Sequence, residues 1–245
     1  MRLTVLGNPS RYLAPYAPGT GYLVEAGGAT LLLDCGQGVL APLGALNPQR
    51  LDAVVISHFH FDHCLDLPVV LHAVRKLNPH LVVPWASHES LDHLGKAYRF
   101  QGSFDAPGPI QQVRPGDVLQ YGECTVRVGA ITHSAPGIAL RIEAEGKSLV
   151  YCSDSAHSPD LAAFAKGADH CIVHTLIPEV EPDSEHSRIH MTAAAAGRFA
   201  AEAQVRHLLL GHRYWESRDE EMLGKTRAAY GGPVTLLKQG DVLPL

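Results

Sequence analysis

Several features that mark particular classes of protein are missing from this chain of 245 residues. No apolar run approaches 18 residues, and no basic segment followed by a short apolar core opens the chain, so we expect neither a membrane span nor a signal peptide. Basic charge is not in excess, because the net charge is −5 and the pI is near 6.3. Extended, sequence-independent contact with nucleic acid is therefore disfavoured.

A disulfide framework is also missing. The cysteines are five in number, well separated and without a C-x-x-C pair: Cys35, Cys64, Cys124, Cys152 and Cys171. An odd, scattered set of this kind is typical of free thiols in a reducing cytoplasm, which is the predicted location. Small core residues are the expected role, because none of the five lies beside a convincing base in the sequence.

What the chain does have is enough apolar sequence, 46% of its residues, to build a large core. We predict one domain over residues 1–245. Two β-rich halves with helices outside them favour the α/β class and a four-layer αββα sandwich. The predicted strands are Leu3–Leu6, Gly21–Ala26, Thr30–Asp34, residues 52–56, Leu81–Val83, Val118–Leu119, Cys124–Ile131, Ile138–Glu143, Ser148–Cys152, Ala168–His174 and Val205–Leu210. The predicted helices are Val69–Leu77 behind an Asp66 cap, a segment around His88–Phe100, Asp160–Lys166, and Met191–Ala203 with Thr192 as its cap.

Three histidines and an aspartate are crowded into six residues, at His58, His60, Asp62 and His63, directly after an apolar strand. Histidines packed into an apolar neighbourhood lose hydration unless something replaces the lost water. A divalent metal does so, because neutral imidazole and carboxylate are ligands that first-row metals take. A set of surface histidines in a loop is the alternative, and the full H-x-H-x-D-H spacing disfavours it.

The cluster is predicted to lie in a strand-to-helix loop, where alternate residues can turn to one side. His58 and His60 can then share one metal, while Asp62 and His63 face a second metal, the dinuclear arrangement used for hydrolysis. Such a site needs further ligands where other strands end. Three residues just past apolar runs fit that requirement: His133, Asp154 and His212.

In order and spacing, these seven residues resemble the metallo-β-lactamase superfamily over essentially the whole chain. The resemblance implies that His58, His60 and His133 bind one metal and that Asp62, His63 and His212 bind the other. It implies that Asp154 bridges both metals and that a hydroxide between them is the nucleophile. Two divalent ions per chain are expected, with zinc first and manganese or iron as alternatives, because these ligands suit several metals.

The segment Ile189–Ala194 is similar to the H-x-[ST]-A pattern of the ribonuclease Z-like branch. That likeness implies that His190 is a general acid or a phosphate contact, the alternative being a helix-start histidine bonded locally. A glutamate that this branch usually carries is replaced here by His174, so a proton relay through His190 would require Glu179 or Glu185 as a substitute. The long Gly/Pro-rich arm of the tRNA-processing members has no counterpart here, which weighs against tRNA cleavage.

Flanking segments resemble the bacterial 3′,5′-cyclic nucleotide phosphodiesterases of this branch: Gly19–Leu23, Asp34–Leu40, Asp62–Pro68 and Val205–His212. The leading hypothesis is therefore a phosphodiesterase acting on a small anionic substrate such as a cyclic nucleotide, with Asp62 and His190 as catalytic residues. The alternatives are a ribonuclease Z-like nuclease of RNA 3′ ends and an ester, lactone or thioester hydrolase. A metal-binding module without turnover is the non-enzyme alternative. Homodimers are frequent in the branch, so a homodimer is the assembly to test.

Overall fold

The computed structural model describes residues 1–8, 17–87, 89–91, 108–175, 184, 186–212 and 219–245. Within them, the strands of the first half are β1 (Arg2–Gly7), β2 (Gly21–Ala26), β3 (Ala29–Leu33), β4 (Ala53–Val55), β5 (His80–Pro84) and β6 (Ile110–Val113). Those of the second half are β7 (Val118–Tyr121), β8 (Cys124–Ala130), β9 (Ile138–Ala144), β10 (Lys147–Tyr151), β11 (His170–His174), β12 (His207–Gly211), β13 (Val234–Leu236) and β14 (Val242–Pro244). The α-helices are α1 (Leu40–Leu46), α2 (Phe61–Cys64), α3 (Leu67–Ala73), α4 (Pro159–Ala165), α5 (Ala193–Glu202) and α6 (Asp219–Ala229). Short 3₁₀ turns occupy Arg75–Leu77 and His186–Arg188.

The described strands form two seven-stranded sheets, with orders β14-β1-β2-β3-β4-β5-β6 and β13-β12-β11-β10-β9-β8-β7. The final strand, β14, returns to the first sheet and pairs antiparallel with β1. Strands β3 to β6 run parallel, as do β10 to β13. Parallel strands bring their carboxyl ends to one edge of a sheet, and ligands of open α/β sheets bind beyond such an edge.

The core lies in three layers of apolar contact. Leu31 and Ile172 are fully buried between the two sheets. Leu67 of α3 packs on the outer face of the first sheet, and Phe199 of α5 packs on the outer face of the second. Burying each such side chain contributes about 1.5–3 kcal/mol. The αββα sandwich predicted from the sequence is confirmed.

Most predicted elements are present with ends shifted by one or two residues, and Thr192 caps α5 by accepting the Ala195 N–H at 3.2 Å. The placement of the whole histidine cluster in a loop is wrong in one respect: Asp62 and His63 lie on the one-turn helix α2. Asp66 does precede α3, but its carboxylate accepts from the Leu40 N–H at 3.0 Å and so caps α1.

Besides α2 and the 3₁₀ turn His186–Arg188, five elements of the described residues were not predicted. Helix α1 contains Pro42 and Gly44, which interrupt a helical pattern, and β6 carries exposed glutamines that hide its strand alternation. Strands β13 and β14 have only three residues each, and α6 begins next to residues outside the described ranges. The helix predicted around His88–Phe100 lies almost entirely outside the described residues.

Among the helices that the structure describes, none has the length and apolar character required to cross a membrane.

Candidate metal centre

The structure brings all seven predicted ligands together at one edge of the sandwich. Beyond the end of β4, His58 forms an isolated bridge with Gly137, and the Ile138 N–H donates to the Ser57 carbonyl at 3.0 Å. This contact joins the two sheets at the site. His60, Asp62 and His63 also follow β4, whereas His133, Asp154 and His212 follow β8, β10 and β12, so strands of both halves meet there.

The first donor group consists of His58, His60, His133 and Asp154. Nδ1 of His60 lies 3.1 Å from Nε2 of His58 and 3.1 Å from Nε2 of His133. One donor atom from each of the four residues lies within 4.8 Å of the others. Ligands about 2.0–2.1 Å from a tetrahedral zinc ion are separated by roughly 3.3 Å, so this spacing fits a metal ion.

The second donor group contains Asp62, His63 and His212. Nε2 of His212 lies 3.0 Å from Oδ2 of Asp62 and 3.0 Å from Nε2 of His63. Oδ2 of Asp154 lies 3.6 Å from Nε2 of His63, so Asp154 faces both donor groups. The donor atoms that lie within 4.8 Å of one another here are those of His63, Asp154, His174 and His212, so the assignment of Asp62 to this metal stays a prediction.

Hydrogen bonds at the far ring atoms orient the ligands. Nδ1 of His58 lies 3.1 Å from Oγ of Ser57, and Nδ1 of His133 lies 3.0 Å from the Ile189 carbonyl. A proton held on Nδ1 by such a partner leaves the Nε2 lone pair free to face a metal.

Asp34 is a residue that sequence reasoning missed. Its buried carboxylate accepts from Nδ1 of His63 at 2.8 Å and from the Tyr151 hydroxyl at 2.5 Å. It also accepts from Ser57, from the backbone N–H at 2.6 Å and from Oγ at 2.8 Å. Its position as the last residue of the predicted strand Thr30–Asp34, at the same sheet edge as the ligands, was the available signal.

Burial lowers the pKa values of His58, His60 and His133 below 6.5, and the positive charges of neighbouring histidines lower them further. Because a metal binds the neutral ring, the first donor group is in its ligand form at neutral pH.

The carboxylates of the site are ionised. Burial by itself raises the pKa of Asp62, but the hydrogen bond from His212 and the charge of His63 outweigh it and bring that pKa to about 2. Burial likewise opposes ionisation of Asp154, and the charges of His212 and His63 hold its pKa well below 3.8. Two ionised carboxylates therefore face the cation positions.

His190, predicted as a catalytic residue, lies in the site. Its ring packs edge-on against His133 with centroids 4.8 Å apart, and its Nδ1 lies 3.8 Å from Oδ2 of Asp154. The side chain is 10% exposed, so a small substrate can reach it.

His174 does not take up the role that the branch gives to its glutamate. Its Nδ1 lies 2.7 Å from Oδ1 of Asp154 and its Nε2 lies 3.1 Å from the Tyr22 hydroxyl, so both ring nitrogens are engaged away from His190. Glu179 and Glu185, the suggested substitutes, lie outside the described residues.

Backbone hydrogen bonds hold helix α2 against the segments at Thr20 and Cys35. The carbonyl oxygens of Asp62 and His63 accept from the N–H groups of Thr20 and Cys35, each at 2.8 Å. A Cβ atom on Gly36 would lie 2.0 Å from the Asp62 carbonyl oxygen. Glycine at position 36 therefore serves the close approach of two backbones.

Two exposed side chains that are not members of the donor groups, His157 and Trp85, have partners of their own. His157 pairs with Glu202 at 2.7 Å and is 40% exposed. All five cysteines are buried free thiols, as predicted. Trp85 is 51% exposed under the Arg114 guanidinium, whereas Tyr12, Tyr16 and Trp215 lie outside the described residues.

The chain belongs to the metallo-β-lactamase superfamily, since a family model described as the Beta-lactamase superfamily domain matches residues 29–213. It is similar to the probable metallo-hydrolase YhfI of Bacillus subtilis, at 29% identity over 99% of both chains. The crystal structure of YhfI superposes with a TM-score of 0.85 and 26% identity, covering 99% of this chain and 98% of that one. A ribonuclease Z of Mycobacterium marinum is 30% identical over 86% of both chains. The protein is a metal-dependent hydrolase of this superfamily.

Proposed function

We propose that the protein is a dinuclear phosphodiesterase that hydrolyses a small cyclic nucleotide with a 3′,5′-phosphodiester. The observation that carries this proposal is the pair of donor groups facing one carboxylate, Asp154. Two cations held a few ångströms apart suit phosphodiester hydrolysis, because they neutralise the charge on both the attacking oxygen and the leaving oxygen.

The residues fit two divalent ions, with zinc as the first choice and manganese or iron as alternatives. His58, His60 and His133 would hold one ion, Asp62, His63 and His212 the other, and Asp154 both. Bound there, the ions would act as Lewis acids on the phosphate and lower the pKa of water.

His190 is proposed as the general acid. Water loses one proton to solvent as its oxygen forms a bond to phosphorus, the bond from phosphorus to the 3′-oxygen breaks, and protonated His190 gives its proton to that oxygen. A group beside Asp154 and His133 is within reach of the departing oxygen of a phosphate held between the donor groups.

A small substrate is favoured by the acidic balance of the chain, with a net charge of −5, which does not attract a long polyanion. The segments that flank the ligands and resemble cyclic nucleotide phosphodiesterases support the same substrate class.

Ribonuclease action on RNA 3′ ends is the second candidate. It is favoured by the 30% identity to a protein named ribonuclease Z, because RNA is also joined by phosphodiesters. An RNA substrate would require cationic contacts beyond the metal centre, and the chain has 20 basic against 25 acidic residues.

One assay separates the candidates. Purified protein loaded with zinc, manganese or iron is offered cyclic AMP, bis-p-nitrophenyl phosphate, a tRNA precursor and a panel of lactones. We expect turnover of cyclic AMP and of the aryl diester. Cleavage of the tRNA precursor without cyclic AMP turnover would establish the nuclease alternative, and lactone hydrolysis without phosphodiester hydrolysis would refute both.

The acid role of His190 is tested by leaving groups. A His190→Asn variant should lose about 10²–10⁴-fold in rate on cyclic AMP, whose sugar alkoxide needs a proton. It should lose much less on bis-p-nitrophenyl phosphate, whose phenolate leaves unprotonated. His157→Asn, which changes an exposed histidine paired with Glu202, is the matched control and should resemble wild type on both. Equal losses of His190→Asn on the two substrates would contradict the role.

A further inference from the structure

The side chain of His174, at the end of β11, is fully buried between the metal centre and the first sheet. Its Nδ1 lies 2.7 Å from Oδ1 of Asp154, and its Nε2 lies 3.1 Å from the hydroxyl of Tyr22. A ring engaged at both nitrogens cannot turn without breaking one of these contacts. His174 therefore has one orientation, and that orientation is imposed on Asp154.

The groups on the other side of His174, Tyr22 and Asn8, are held in place as well. Nδ2 of Asn8 donates to the Leu237 carbonyl at 2.7 Å, which sets the orientation of the amide because a carbonyl only accepts. Oδ1 of Asn8 then accepts from the His212 N–H at 2.9 Å and, 2.7 Å from the Tyr22 oxygen, shares the single Tyr22 hydroxyl proton with Nε2 of His174. His212 has a left-handed backbone with φ of 56°, so this bond also holds a metal-ligand candidate in an uncommon conformation.

The contacts divide the two oxygens of Asp154 between different partners. Oδ1 accepts from His174 and lies 3.5 Å from Nδ1 of His212, a ring whose other nitrogen, Nε2, contacts His63. Oδ2 faces Nε2 of His63 at 3.6 Å and Nδ1 of His190 at 3.8 Å. The hydrogen bond to Oδ1 thus leaves Oδ2 as the oxygen turned toward the donor groups.

We propose that His174 is a positioning residue that fixes Asp154 through Oδ1 so that Oδ2 would face both metal positions, with Tyr22 and Asn8 as its anchor at the first sheet. This inference rests on the two-metal centre of the proposed function and assigns a separate role to His174. A glutamate at this position would be ionised and would repel the Asp154 carboxylate, so a histidine is suited to this contact.

Direct metal ligation by His174 is the competing interpretation, because its donor atom lies within 4.8 Å of those of His63, Asp154 and His212. The 2.7 Å contact with Oδ1 favours a hydrogen bond, since the ligand candidates are spaced at 3.0–3.1 Å. The two interpretations predict different effects of an asparagine at position 174. Its amide N–H can replace the hydrogen bond to Asp154, but the asparagine cannot replace an imidazole ligand.

The experiment compares His174→Asn with His174→Phe in protein loaded with manganese. Asparagine places an N–H close to the position of Nδ1 and keeps the hydrogen bond to Asp154, whereas phenylalanine keeps the ring and loses the donor. His170→Asn, at the other end of the same strand, is the matched control. The dissociation constants of both ions and the magnetic coupling of the ion pair by electron paramagnetic resonance are measured, together with thermal unfolding of the metal-free protein.

We expect His174→Phe to weaken binding of one or both ions by about 10–100-fold and to lose the signal of a coupled pair. His174→Asn should retain the coupled signal and recover most of the affinity, and His170→Asn should match wild type in metal affinity and coupling. If His174→Phe does not fold, Tyr22→Phe, which cuts only the anchor, should change affinity and coupling in the same direction by a smaller factor.

Wild-type affinities and coupling in His174→Phe would overturn the inference, as would unchanged values in Tyr22→Phe if that variant has to be used. A His174→Asn variant as defective as His174→Phe would overturn it in favour of direct ligation. Failure of wild type to hydrolyse any phosphodiester would refute the proposed function and leave these measurements unaffected. Fewer than two bound ions in wild type would overturn both.

Discussion

Oδ2 of Asp34 accepts a hydrogen bond from Nδ1 of His63 at 2.8 Å, and both side chains are fully buried. The pair connects the end of β3 to α2, so a residue of the sheet orients a metal-ligand candidate on a separate element. A carboxylate behind a ligating histidine fixes the ring and increases its basicity. Asp34 thus links the stability of the first half to the metal centre.

Asp34→Asn is expected to weaken metal binding about 10–100-fold. The NH2 group of asparagine cannot accept the hydrogen bonds that one oxygen of Asp34 accepts now. The free energy of unfolding should fall by about 1–3 kcal/mol for the same reason. Metal titration and urea denaturation of the metal-free protein measure the two effects separately.

Asp169→Asn is the matched control for that substitution. Asp169 accepts from the N–H and Oγ of Ser148, each at 2.9 Å, as Asp34 accepts from the same two groups of Ser57. It lies near the starts of β10 and β11, away from the ligands. We expect a loss of stability with unchanged metal affinity, and a loss of metal affinity in this variant would show that the Asp34 effect is not local.

The two donor groups predict different metal contents for three variants. His133→Ala should retain the ion of the second group and His212→Ala the ion of the first, so each should hold about one ion per chain where wild type holds about two. Asp154→Asn should weaken both ions, since its carboxylate faces both groups. Metal analysis after dialysis measures the counts, and equal loss of both ions in either histidine variant would argue against separate positions.

Gly36→Ala tests the backbone contact beneath α2. Its Cβ would lie 2.0 Å from the Asp62 carbonyl oxygen, so either the loop or α2 has to move, and we expect a loss of about 3 kcal/mol in stability with weaker metal binding. Gly44→Ala lies on exposed α1, where a Cβ meets no atom within 4 Å, and should stabilise the protein by about 0.5–1 kcal/mol. Thermal unfolding of the two variants side by side measures the contrast, and similar behaviour would refute the contact.

A histidine pair far from the metal centre predicts a pH dependence of stability. His170 and His207 begin neighbouring strands in register, with ring centroids 5.3 Å apart. Burial lowers the pKa values of both, and the charge of His207 lowers that of His170 further. Because the folded pKa values lie below the unfolded value of about 6.5, the unfolded chain binds more protons, and stability is lost as pH falls through about 6.5 toward the folded values.

His170→Asn should therefore lose less stability than wild type between about pH 7.5 and pH 5.5. His72→Asn, which changes an exposed histidine on α3, should have the wild-type slope. Urea denaturation at a series of pH values measures the slopes, and an unchanged slope in His170→Asn would contradict the prediction.

Local pattern was sufficient for much of the fold. Apolar runs bounded by glycine turns predicted most of the described strands, because burial of alternate residues and tight turns are properties of short segments. The H-x-H-x-D-H spacing indicated the metal for the same reason, since its ligands lie within six residues. Elements with weak local pattern, such as α1 with its proline and glycine, could not be predicted in this way.

The sequence by itself determined the two-sheet architecture and the seven ligand candidates. Strand periodicity and ligand residue types can both be recognised within short segments of the sequence. Only the tertiary structure decided which groups orient those ligands. Asp34 and His63 are in contact although they are 29 positions apart in the sequence, and His174 and Tyr22 are 152 positions apart. Such partners are selected by the packing of one sheet on the other, and no local pattern specifies which buried side chains that packing brings together.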